Sequence, residues 1–177
     1  GLVYKSMGEY SKALEYYEKS LEIHKKSLPA NHLSLATSYN NIGLVYNSMG
    51  EYSKALEYYE KDLEISKKTL PANHPSLATS YNNIGSVYDN MGEYLKALEY
   101  YEKSLEIRKK SLPENHPSLA TSYNNIGGVY YSMGEYSKAL QYLERALDIC
   151  QRSLPPNHPN TRSTKQSIET VKEKLKL

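Results

Sequence analysis

Apolar residues in this chain fall at spacings of three and four, and the pattern comes round again and again. Over residues 76–91, Leu77, Tyr81, Ile84, Tyr88 and Met91 share one face of a predicted helix, with polar residues between them. Asn73, His74 and Pro75 precede it as start signals, a capping side chain ahead of a first-turn proline, and Gly92 ends it. A second helix is predicted from about Tyr94 to Ser111, with Ala97, Leu98, Tyr101, Leu105 and Ile107 apolar and glutamates and lysines between them. Lys109 and Lys110 sit in its last turn, where the helix dipole favours cations. Pro113 then stops it. The unit is a helical hairpin with a tight turn, followed by a short loop.

That unit recurs. Gly1, Gly43, Gly85 and Gly127 each open Gly-x-Val-Tyr, a step of 42 residues, and Met7-Gly8-Glu9-Tyr10 returns at Met49, Met91 and Met133. Residues 43–84 and 85–126 differ at only eight positions. Such units bury their apolar faces by stacking on one another, so a single array is expected. Its expected parts are a repeat over 1–42 with a truncated first helix, repeats over 43–84 and 85–126, a hairpin remainder over 127–159, and a capping helix over 160–177. In the last, Ile168, Val171 and Leu175 keep the slots of Ile126, Val129 and Met133, which would pack on the preceding helix. Lys165, Glu169 and Lys172 replace Tyr123, Gly127 and Tyr130, as a solvated end requires. At the other end, the missing opening turns would leave a sticky flank on the helix from Tyr10 to about Lys26. Gly43, Gly85 and Gly127 lie inside helices, where glycine costs about 1 kcal/mol against alanine. Close backbone approach is therefore expected there, with Ala55, Ala97 and Ala139 facing them.

Tyr39, Ile42, Gly43, Tyr46, Gly50, Tyr52, Ala55 and Tyr59 follow, in order and spacing, the pattern of the tetratricopeptide repeat family, which the chain resembles over nearly its whole length. The longer second helix and the inserted Leu70-Pro71-Ala72-Asn73-His74-Pro75 resemble the kinesin light chain type of that array. The resemblance implies an all-α fold, a right-handed α-solenoid of helix-turn-helix repeats. It also implies that the first helices line the concave surface, and that the partner is a protein or peptide. Recognition of a C-terminal carboxylate would call for concave basic residues, of which only Lys5 qualifies. Preference for acidic peptides would sit poorly with Asp89.

On that surface the resemblance places the paired asparagines Asn40 and Asn41, Asn82 and Asn83, Asn124 and Asn125. Asparagine is a poor helix former because its side chain competes for backbone groups. Six at repeated mid-helix slots need a reason. A carboxamide both donates and accepts, so it can clasp a peptide bond whatever the ligand's side chains. Alternatively the amides bond neighbouring helices and stiffen the array, or one of each pair does each job. Helices packed roughly 8–10 Å apart would meet about every third residue of an extended chain. Selectivity would then come from groove positions that vary: Lys5, Leu44, Asn47, Ser86, Asp89, Gly128 and Tyr131. Gly128 beside Tyr131 reads either as a pocket with an aromatic wall or as drift after duplication. The rival to a peptide-binding adaptor is a structural element that stacks on another copy through its N-terminal end.

Composition narrows the functional classes. A net charge of +2 with 24% charged residues gives no polyelectrolyte signal for nucleic acid or an anionic membrane. One cysteine, Cys150, permits no internal disulfide and suits the cytosol, the expected compartment. No apolar run reaches the roughly 18 residues of a membrane span. The 19 tyrosines, with no phenylalanine or tryptophan, recur at fixed slots and suit the edge of a thin core. His32, His74, His116 and His158, one per unit, lie too far apart to share a metal and read as helix-start residues. His24, Ser66, Arg108 and Cys150 share one slot, and their variety predicts an exposed convex surface. No nucleophile with its base and no phosphate loop appears, so neither catalysis nor a cofactor is expected.

Overall fold

A computed structural model describes residues 8–176. Among them eight helices and no strands are found: α1 (Tyr10–Ser27), α2 (Leu33–Ser48), α3 (Tyr52–Thr69), α4 (Pro75–Asn90), α5 (Tyr94–Ser111), α6 (Pro117–Ser132), α7 (Tyr136–Ser153) and α8 (Pro159–Leu175). The predicted helices over 76–91 and 94–111 are therefore present within a residue of their expected ends. The expected truncation of the first hairpin, and Lys5, fall outside the described residues.

Local chemistry sets the boundaries. His32, His74, His116 and His158 are themselves the N-caps, each accepting the backbone N–H two residues on through Nδ1, as with Ser76 N at 3.2 Å. Each α2-type helix ends on a glycine at positive φ: Gly50 at 76°, Gly92 at 75° and Gly134 at 77°. There Glu51 N–H bonds Tyr46 O and Gly50 N–H bonds Asn47 O, closing the helix end as L-residues rarely can. The second helices stop at Leu28, Leu70, Leu112 and Leu154, which are extended because proline follows each.

The closest pairs are the hairpins α2–α3, α4–α5 and α6–α7; α1–α2, α3–α4, α5–α6 and α7–α8 join one unit to the next. The core is a thin seam of Ile42, Val45, Ala55 and Tyr59 and their equivalents. A Cβ on Gly43 would stand 2.8 Å from the Tyr59 ring, and on Gly85 2.8 Å from the Tyr101 ring. The atoms nearest such a Cβ thus belong to an aromatic ring, not to Ala55 or Ala97, the neighbours that the sequence led us to expect. At Gly127 the nearest atoms are Leu143 Cγ at 2.9 Å and, at 3.3 Å, the Ala139 carbonyl oxygen.

The tyrosines form a repeated triad on the same seam. Tyr58 stacks on Tyr46 at 5.5 Å and tilts on Tyr39 at 6.1 Å, and Tyr100 repeats this with Tyr88 and Tyr81. Lys61 and Lys103 lie over these rings, adding cation–π contact. Ile168 and Val171 of α8 are buried, while Lys165, Glu169 and Lys172 are exposed as expected. Met91, Met133 and Leu175 are not core: each is at the solvent edge of its helix end, 36–43% exposed.

Candidate functional site: the first-helix face and its junctions

The helices α2, α4, α6 and α8 stand side by side, and their asparagines meet across the junctions. Asn83 Nδ2 donates to Asn40 Oδ1 at 2.8 Å, and Asn125 Nδ2 to Asn82 Oδ1 at 2.9 Å. Lower on the same faces Asn90 Nδ2 donates to Asn47 Oδ1 at 3.2 Å. At the last junction Asn124 exchanges bonds with the Thr164 hydroxyl. The amides thus form lateral rungs, yet each asparagine–asparagine rung uses one N–H of its donor and one lone pair of its acceptor. All six paired asparagines are half-buried.

Leu44, Ser86, Asp89 and Tyr131 are half-buried. Leu44 packs on the cluster around Tyr59. Leu44 stands where Ser86 supports the Tyr101 hydroxyl, and the buried Tyr59 hydroxyl consequently has no partner. Asp89 is half-buried, and burial lifts its carboxyl above the usual range. Tyr131 tilts on Tyr136 at 5.5 Å and, with Gly128 and Asn124, lines a cavity of about 240 Å³ closed by α8. Gly128 and Tyr131 thus line one cavity, which the pocket reading requires and drift after duplication does not.

The slot of His24, Ser66, Arg108 and Cys150 is not an exposed convex position. Ser66 and Cys150 are buried and the other two half-buried, because this slot faces the next unit's first helix. His24 Nδ1 pairs with Ser38 Oγ at 3.0 Å, and Arg108 Nη1 donates to Ser122 Oγ at 2.7 Å and Ser118 O at 3.1 Å. Burial lowers the Arg108 pKa and raises that of the Cys150 thiol. Ser66 Oγ donates to Asp62 Oδ1 at 3.2 Å, and Ser80 Oγ to Asp62 Oδ2 at 2.6 Å. Asp62, 5% exposed, is the one buried charged side chain among the described residues. Sequence reasoning passed over it. A signal existed: positions 62/104 and 66/108 are two of the eight differences between repeats, one turn apart on the same helix.

The tetratricopeptide repeat family matches residues 1–68, 36–110, 76–152 and 118–174. The chain belongs to that family. No curated protein matches it. Among solved structures it is similar to a Podosopora anserina kinesin light chain-type protein with nearly identical TPR-like repeats: 26% identity, TM-score 0.82, covering 97% of this chain and 82% of that one. It is also similar to BtubC (BKLC) of P. vanneervenii, at 25% identity and TM-score 0.86, covering 97% and 68%. Apo RapI is a third, at 25% and TM-score 0.85, covering 99% and 61%. The repeat therefore identifies a protein-interaction scaffold of α-solenoid form. No helix among the described residues is long and apolar enough to cross a membrane. No group of metal-ligating side chains occurs among them either.

Proposed function

We propose that the tetratricopeptide array binds an extended peptide along its first-helix face, with the asparagine rungs contacting the ligand backbone. One observation carries this reading: each rung between two asparagines is half-used. Beside the bond from Asn83 to Asn40, the Nδ2 group of Asn40 and the Oδ1 of Asn83 remain, a donor and an acceptor side by side. Asn82 and Asn125 offer the same couple one unit on. A peptide bond needs that pair, and the rungs hold the amides in place before ligand arrives, which lowers the cost of ordering them. Among the described residues Asn41 has no lateral bond, and it adds a third amide. Each net hydrogen bond contributes about 0.5–1.5 kcal/mol, so these contacts position a ligand and its side chains supply most of the affinity.

The test separates the two jobs of the amide. Asn40→Asp with Asn82→Asp keeps each Oδ1 for the lateral rung and removes the ligand-facing N–H groups. Peptides without charged side chains, selected from a display library against the wild-type array, should lose tenfold or more in affinity for this variant while its thermal unfolding stays close to wild type. Equal affinity for both proteins would remove the amides from recognition.

A further inference from the structure

Between α2 and α4 the first-helix face opens into a pit of about 290 Å³, with Thr37 and Asn40 on one wall and Ser76, Thr79 and Ser80 on the other. Its floor is Asp62 and Ser66 of α3. No other titratable side chain lines it. The volume is ample for one side chain and lies at the lower end of small-molecule pockets, about 300 to 1,000 Å³. The two serine hydroxyls are the only hydrogen-bond donors the Asp62 carboxylate has, and no cation among the described residues pairs with it. A buried carboxylate without a counter-charge is costly and rises in pKa, as this one does.

The next junction shows what such a space accommodates. One repeat on, 42 residues later, Asp62 is replaced by Ser104 and Ser66 by Arg108. The Arg108 guanidinium fills the junction and bonds Ser118 O and Ser122 Oγ. Their equivalents, Ser76 and Ser80, line the pit. The α2–α4 junction thus lacks the arginine, keeps the acceptors that bind one, and adds a carboxylate at the base. The geometry points to this pit as the seat of an arginine side chain supplied by the bound peptide, its guanidinium on Asp62 and the Ser76 carbonyl. Arginine fits better than lysine because its planar fork can meet both acceptors at once. The assignment rests on the peptide-binding reading and gives that ligand a required residue at one position.

The probe is N-acetyl-arginine N-methylamide, compared with its lysine and citrulline analogues by amide chemical-shift titration. The arginine compound should shift Thr37, Ser76, Thr79 and Ser80 saturably, lysine at least threefold more weakly, and citrulline not at all. Ser66→Arg, which installs the guanidinium of the neighbouring junction, should abolish these shifts. Asp62→Ser, the residue of the neighbouring repeat, should weaken them at least tenfold, so that two variants with natural precedents must agree. Citrulline binding as well as arginine, lysine binding as tightly, unchanged titrations in either variant, or no saturable shift with wild type would each overturn the assignment. The probe is too short to span two rungs, and Asn82 does not line the pit. Binding that survives Asn82→Asp therefore tests the pit alone, while loss of uncharged-peptide affinity tests the ladder alone.

Discussion

The junction from α3 to α4 and the junction from α5 to α6 are built from repeats that differ at eight positions, yet one encloses an anion and the other a cation. The backbone frame around them is unchanged: the same histidine caps, the same glycine turn, the same tyrosine triad. Which charge the junction encloses is set at positions 62/104 and 66/108, one helical turn apart. Both charged groups are held by serines from the following first helix, since a hydroxyl can donate to a carboxylate or accept from a guanidinium. A neutral, adaptable partner on one side allows the charge on the other side to be exchanged without disturbing the fold. The lateral seam carries identity; the junction floor carries variation.

The largest effect should come from breaking what the two units share. Gly85→Val places a branched side chain where even a Cβ would lie 2.8 Å from the Tyr101 ring, which is buried and cannot withdraw. Overpacking of this kind costs about 1–3 kcal/mol, and a value near the upper end is expected because the ring sits at the hairpin's centre. Gly127→Val meets Leu143 at 2.9 Å and the Ala139 carbonyl at 3.3 Å rather than a ring, and should cost less because the closer neighbour is an aliphatic side chain that can change rotamer. Urea unfolding of the two variants makes the comparison. Equal losses would mean that the backbone distance, not the ring, dictates the glycine.

A smaller effect should follow from making the junctions alike. Ser66→Arg sets a guanidinium beside Asp62 and should stabilise the array, whereas the same change in an Asp62→Ser background should not. A coupling of about 1–3 kcal/mol in that double-mutant cycle is expected for a buried contact pair. pH dependence sharpens the point. Burial raises the Asp62 carboxyl above its ordinary value of 3.8, so the folded state resists ionisation more than the unfolded chain does. Stability is therefore lost as pH rises from the ordinary carboxylate range through the raised folded value, and no penalty exists below that window. Asp62→Ser should unfold later than wild type at pH 7, with the gap closing toward pH 4. A gap independent of pH would show that ionised Asp62 carries no desolvation cost.

The contrast between the two junctions also explains what could be read from sequence. Repeat length, helix ends and solenoid form followed from Gly50-type turns, proline stops and apolar spacing, all of which act within a few residues of the chain. The asparagines were visible as helix-disfavouring residues in a fixed register, but their dual use was not, because the bond from Asn83 to Asn40 spans 43 residues and depends on how units stack. The slot holding Ser66 and Arg108 was placed on the outer surface because its residues vary in polarity. Variation there reflects a polar interior contact: histidine, arginine and cysteine meet a hydroxyl of the facing helix, and Ser66 bonds Asp62, which the facing Ser80 holds. The packing of Leu44 was hidden for a related reason: nothing local to α2 indicates that it lies against the cluster containing Tyr59.

The smallest expected effect concerns the rungs themselves. Asn83→Ala removes the bond to Asn40 in a half-buried junction, whereas Asn90→Ala removes the longer, exposed bond to Asn47. A net hydrogen bond contributes about 0.5–1.5 kcal/mol, and alanine recovers several tenths of that through helix propensity. Asn83→Ala should thus cost about 0.5–1 kcal/mol and Asn90→Ala close to nothing, each measured by thermal unfolding. The helix-propensity gain is the same at both sites, so the difference between them isolates the half-buried rung. If Asn83→Ala proves as harmless as Asn90→Ala, the rungs contribute nothing to stacking, and six helix-disfavouring residues would then owe their place to ligand contact alone.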